Sequence, residues 1–165
     1  TLLRVLWKEM RPWTRKSATR ENARQLSERA EEVSWVASKA ARLLKTESTP
    51  QREALGAMQA ATLAQRVGRL ALLRRMSSEA RHASELADAT ARLGSTIDTL
   101  AGSPHTIDLE DDLQMAGAQY GFLLDALRES AAEGGGSAAE LVAKTCDNVT
   151  DSLERASRLY ENGSI

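Results

Sequence analysis

The chain has 165 residues, 42% of them hydrophobic and 27% charged, with aromatics at 4% and a formal net charge of −1. That length makes one domain the natural expectation, and an apolar fraction dominated by Ala points to a thin, elongated core of long helices. A single cysteine, Cys146, excludes an intramolecular disulfide framework, and no apolar run approaches the roughly 20 residues of a membrane span.

The first helical stretch is expected over about residues 2–47. Leu3, Leu6, Met10 and Trp13 open it at 3-4-3 spacing, and Pro12 imposes a kink or a fresh start, because a helix interior loses a hydrogen bond at Pro. Beyond the kink, Ala23, Leu26, Ala30, Val33, Ala37, Ala40 and Leu44 continue a heptad seam. Residues 46–51 break it. There Ser48 with Gln51 fits a capping box, and Thr49 before Pro50 fits a cap with Pro at the first helical position.

A second helix is expected over residues 50–101, roughly 78 Å long at about 1.5 Å per residue. Its first part carries Ala54, Ala57, Ala61, Ala64, Gly68 and Ala71, a 3-4-3-4-3 seam of tiny residues where Leu is usual. Such a stripe lets a neighbouring backbone approach to about 8 Å. The same spacing continues through Leu73, Met76, Ala80, Ala83, Ala87, Thr90, Gly94 and Ile97, and a second stripe of Leu86, Thr90, Leu93, Ile97 and Leu100 joins it. Two stripes require more than one partner, so the bundle should thicken here.

Gly102, Ser103, Pro104 and His105 form a stop and turn. A third helix, 108–133, starts among Asp108, Glu110, Asp111 and Asp112, which suit a helix N-terminus, and its seam is Leu109, Leu113, Ala116, Tyr120, Leu123 and Leu127. Gly134, Gly135 and Gly136 end it. Ser137 with Glu140 forms another capping box, and Val142, Thr145, Val149, Leu153, Ala156 and Tyr160 drive a fourth helix over 137–161, closed by Asn162 and Gly163. The third and fourth helices either fold back on each other, giving four helices at one end, or continue the rod; the doubled stripe favours the four-helix end. The expected fold is all-α: an elongated antiparallel three- or four-helix bundle built on a long helical hairpin, one domain over 1–165.

Charge is unevenly placed. Residues 1–82 hold 17 Lys/Arg against 8 Asp/Glu, and residues 83–165 hold 5 against 15. A basic half alone suggests nucleic acid or an anionic membrane, while an equally acidic half on the same chain suggests internal neutralisation. An antiparallel hairpin about residue 48 would set Arg4, Lys8, Arg11, Arg15 and Lys16 beside Glu85, Asp88, Asp98 and the acidic residues at 108–112. The chain opens on Thr1, so a processed product or an excerpt is expected, with any targeting segment outside it.

No motif names a reaction. Glu79 and His82 have the Glu-x-x-His spacing of carboxylate-bridged metal bundles, but such sites need a second pair, and His105 has no Glu three residues earlier. Cys146 lies mid-helix with no activating neighbour and reads as a small apolar residue. Gly134, Gly135 and Gly136 lack the following Lys of a phosphate loop. Arg66, Arg69, Arg74, Arg75 and Arg81 read as a solvated face, without the interleaved aromatics of a nucleic-acid surface. Residues 2–16, with Trp7 and Trp13, form a basic amphipathic segment that suits either the start of the long helix or a membrane or partner surface. We therefore expect no catalytic residue, no metal, no cofactor and no nucleic-acid partner.

Two of the three Asn head sequons: Asn148-Val-Thr150 and Asn162-Gly-Ser164. Both are glycosylation candidates and point to a secretory route. With the Ala seams and the long second helix, they make the chain resemble the Ala-rich helical surface glycoproteins of trypanosomes. That resemblance implies a non-enzymatic, cell-surface rod, membrane-attached through an anchor outside this chain, with a coat or ligand-binding role and a tip near 46–50 or 102–107. The alternative is a cytosolic bacterial or viral scaffold or adaptor acting through helix–helix dimerisation. Under either reading a protein partner or self-association, including a homodimer, is expected, with Trp35, Val36 and Leu43 as exposed apolar positions.

Overall fold

A computed structural model describes residues 2–15, 19–43, 49–77, 80–103, 107–132 and 136–162. They form α1 (Leu2–Met10), a 3-10 helix (Arg11–Arg15), α2 (Arg20–Leu43), α3 (Thr49–Met76), α4 (Ala80–Ala101), α5 (Ile107–Ala132) and α6 (Gly136–Glu161), with no strand among the described residues. The all-α fold is thus observed. The chain divides into two compact units, residues 1–45 and 46–165.

In the first unit the break at Pro12 is larger than a kink. The helix changes type over Arg11–Arg15, and α2 restarts behind Thr19, whose Oγ1 accepts from Asn22 N at 3.2 Å as a cap. The chain then doubles back. Glu9 pairs with Arg29 at 3.1 Å, and Leu6 lies beside Glu32, Trp35 and Val36, so α1 runs antiparallel to α2. Pro cannot continue the hydrogen-bond ladder, and the residues after it adopt the tighter 3-10 form. Met10 and Ser27 are buried at this contact, whereas Ala23, Leu26, Ala30 and Val33 are only half-buried and Ala37 is exposed.

In the second unit α3, α4, α5 and α6 form an up-down-up-down bundle in which each helix packs on the next and α6 returns to α3. The expected single helix over 50–101 is corrected: it ends at Met76 and restarts at Ala80. Ser77 N closes the last turn of α3 on Leu73 O at 2.9 Å. A Ser side-chain oxygen competes for backbone hydrogens, which makes Ser77 a natural helix boundary. The reversal brings Gly56, near the start of α3, against Leu100, near the end of α4.

The small-residue seam is buried as expected, with Ala54, Ala57, Ala61, Ala64 and Ala71 at 0–6% exposure. Its occupant is α6. Ser157 Oγ donates to Ala54 O at 3.0 Å, and a methyl group built on Gly68 would lie 3.1 Å from Cys146 Sγ. Antiparallel packing of α5 on α6 is marked by Arg155 to Asp112 at 2.9 Å at one end and Asn148 to Gln119 at 3.4 Å farther along. Residues 108–161 therefore fold back on themselves, and the four helices of this unit are the two parts of the expected second helix with α5 and α6. On α4 the stripe Leu86, Leu93, Ile97 and Leu100 is buried, while Ala80 and Ala87 of the other expected stripe are exposed. Of that other stripe, Ala83 and Thr90 are half-buried, and Gly94 and Ile97 are buried.

The start of α3, the end of α4 and both bounds of α5 and α6 fall within one residue of expectation. α6 opens at Gly136, ahead of Ser137, so the expected capping box lies inside the helix. Residues 44–48, 104–106, 133–135 and 163–165, which include Ser48, Pro104, His105, Gly134, Gly135 and Ser164, lie outside the described residues.

Candidate functional site on the α5–α6 face

α6 is amphipathic in a way that separates its two roles. Val142, Cys146, Val149, Leu153, Ala156 and Tyr160 are buried in the bundle, and Leu141, Lys144, Asp147, Asn148 and Asp151 are exposed. Asn148 precedes Val149 of the seam by one position, about 100° around the helix, and so reaches the surface. Its Nδ2 donates to Gln119 Oε1 on α5 at 3.4 Å. The sequon hydroxyl faces the other way. Thr150 is 8% exposed, accepts from Gln65 Nε2 at 2.9 Å and donates to Cys146 O at 2.8 Å. Asn162 is also exposed, in the turn after α6, where its N–H donates to Arg158 O at 3.1 Å. The two candidate asparagines are thus on the surface of the same unit, at the middle and the end of one helix.

Asn148 stands at one end of a furrow of about 450 Å³ between α5 and α6, floored by Phe122, Ala126 and Leu141 and rimmed by Asp125, Glu129 and Lys144. Phe122, the only Phe of the chain, is 62% exposed, and Leu141 is 43% exposed. Sequence periodicity missed this feature because Phe122 sits beside the seam residue Leu123 and was absorbed into an apolar helix. Phe122 and Ala126, spaced four apart beside the seam of α5, are the signal that would have found it.

The other sequence candidates fall elsewhere. Cys146 is 2% exposed, and burial, reinforced by the nearby Asp147 carboxylate, pushes its thiol up to about 12, so it stays protonated and inert at neutral pH. His82 is buried in α4, and Glu79 lies outside the described residues. Among the described residues no group of three His, Cys, Asp or Glu side chains is placed to hold a metal, and no helix is long and apolar enough to cross a membrane. Of the acidic residues at 108–112, Asp112 is taken up by Arg155. Arg75 Nη1 donates to Ser130 Oγ at 3.2 Å and Arg81 pairs with Glu85 at 3.6 Å, so part of the arginine set is engaged within the bundle. In the first unit Trp7 and Trp35 are exposed, with Lys39 Nζ 5.1 Å from the Trp35 ring; the side chain of Leu43 lies outside the described residues.

At the far end of α6, Tyr160 Oη and Glu53 Oε2 are buried without hydrogen-bond partners among the described residues. Burial, with the Glu53 carboxylate second, pushes the Tyr160 hydroxyl up to about 12. Comparison of the chain with protein-family models, with curated proteins and with solved structures gives no match.

Proposed function

We propose that this chain is a non-enzymatic, cell-surface helical-bundle glycoprotein, modified at Asn148 and Asn162, that serves a coat or ligand-binding role. The observation that carries the reading is the surface placement of both sequon asparagines, Asn148 on α6, whose other face is packed into the core, and Asn162 in the turn that follows it. The resemblance to trypanosome surface glycoproteins supports it through the Ala-lined seam and the sequons, and a membrane anchor outside this chain would complete it. In the modification, Asn148 Nδ2 bonds to the anomeric carbon of a lipid-linked oligosaccharide. The carbon–oxygen bond to the lipid pyrophosphate breaks, the pyrophosphate leaves, and the amide gives up one proton. Because Thr150 is buried in the folded bundle, transfer would precede folding.

The test is peptide mass analysis of native protein released by glycan-cleaving amidase in heavy-oxygen water. Labelled Asp at positions 148 and 162 is the expected result; unmodified Asn at both would end the reading. A second reading, a scaffold that dimerises through helix faces, draws on the exposed Met115, Phe122 and Leu141. It predicts unmodified Asn and a mass by light scattering that doubles with concentration.

A further inference from the structure

The direction of Asn148 on α6 decides where a sugar attached to it would go. Helical side chains lean toward the helix N-terminus, so Asn148 is aimed over the turn that holds Lys144 and Thr145. That turn is the wall of the furrow floored by Phe122 and Leu141. From Asn148 to Leu141 the furrow runs seven residues, roughly 10 Å along the helix.

We propose that the first N-acetylglucosamine of an Asn148 glycan lies in this furrow, against the Phe122 ring, and is its resident occupant. The inference rests on the glycosylated reading above and adds what the sugar does there. Three observations carry it. The tether begins inside the furrow, because Asn148 is one of its lining residues. A glycosylated amide keeps one N–H, so Asn148 Nδ2, 3.4 Å from Gln119 Oε1, retains a donor for that partner when the sugar is bound. The floor and rim match a sugar: a pyranose presents C–H bonds on its ring face and hydroxyls at its edge. Phe122 and Leu141 meet the first, and Asp125, Glu129 and Lys144 meet the second. The occupant covers an aromatic ring that is otherwise 62% exposed.

The test is a four-way comparison of melting temperature in protein from a host that glycosylates Asn148, with peptide mass measured first. Asn148→Gln, which removes the glycan, is expected to lower the melting temperature by about 2–4 °C when Phe122 is present and by less than about 1 °C in the Phe122→Ala background. With a single Phe in the chain, selective ring labelling reports Phe122 alone, and a nuclear Overhauser contact to sugar ring protons is expected. Equal drops in both backgrounds with no such contact, on protein shown to carry the glycan, overturn the placement and leave the glycoprotein reading standing. Unmodified Asn148 in native protein removes the placement, and the glycoprotein reading falls with it only if Asn162 is unmodified too.

Discussion

α2 and α3 carry closely similar seams, Ala23-Leu26-Ala30-Val33 in one and Ala54-Ala57-Ala61-Ala64 in the other, and they meet different fates. In α3 the seam is nearly dry and a second stripe of Ala60, Val67 and Leu70 is buried as well. In α2 the same positions are half-buried and Ala37 is exposed. Within its unit α2 is covered by nine residues of α1 and a five-residue 3-10 helix, whereas α3 has two full-length neighbours, α4 and α6. A 3-4 pattern licenses a helix with one apolar side; how deeply that side is buried depends on the length and number of helices available to cover it.

The sharpest way to break this comparison is to remove one Leu from each unit. Leu153→Ala, at a site with 0% exposure, is expected to destabilise by about 2–5 kcal/mol, and Leu26→Ala by about 1 kcal/mol. The three Trp, at 7, 13 and 35, all lie in the first unit, so Trp fluorescence follows it while Tyr120 and Tyr160 report the second. Equal losses from the two changes in urea melts would refute the difference in burial.

Alkaline pH gives a second, somewhat smaller handle on the second unit. The Cys146 thiol is raised in the fold from about 9 to about 12, so the stability it contributes is intact below pH 9 and declines as pH rises through 12. By pH 11 the loss reaches roughly 2–3 kcal/mol. Urea midpoints followed by circular dichroism at pH 8 and pH 11 should show it, and Cys146→Ala should remove that part of the decline. An unchanged pH dependence in the variant would count against a deeply buried thiol.

Two glycines sharpen the picture at the smallest scale. Gly68→Ala forces a methyl to within 3.1 Å of Cys146 Sγ and is expected to cost about 1–2 kcal/mol. Gly121→Ala meets nothing within 4 Å and should stabilise α5 by up to about 1 kcal/mol through helix propensity. Thermal melts that moved in the same direction for both would argue that α3 and α6 are not in close contact at this point.

The helices themselves were readable because periodicity, caps and breakers are local. α5 and α6 fall within two residues of the expected 108–133 and 137–161. The break at Ser77 went unread because the Ala spacing runs unbroken through Leu73 and Met76, and two Ser in a row are a weaker signal than Pro or Gly. Asn148 was legible as a triplet, but the furrow beside it was not, since Gln119 and Phe122 belong to a helix 26 to 29 residues earlier in the chain.

What the sequence by itself determined is the all-α character, the presence of a seam small enough for close approach, and the two sequons, each a property of residues a few positions apart. Tertiary structure alone decided which helix fills that seam. α6 takes it because the reversal at Ser77 makes room for a four-helix ring, and a stripe of Ala and Gly accepts any partner of matching shape and names none.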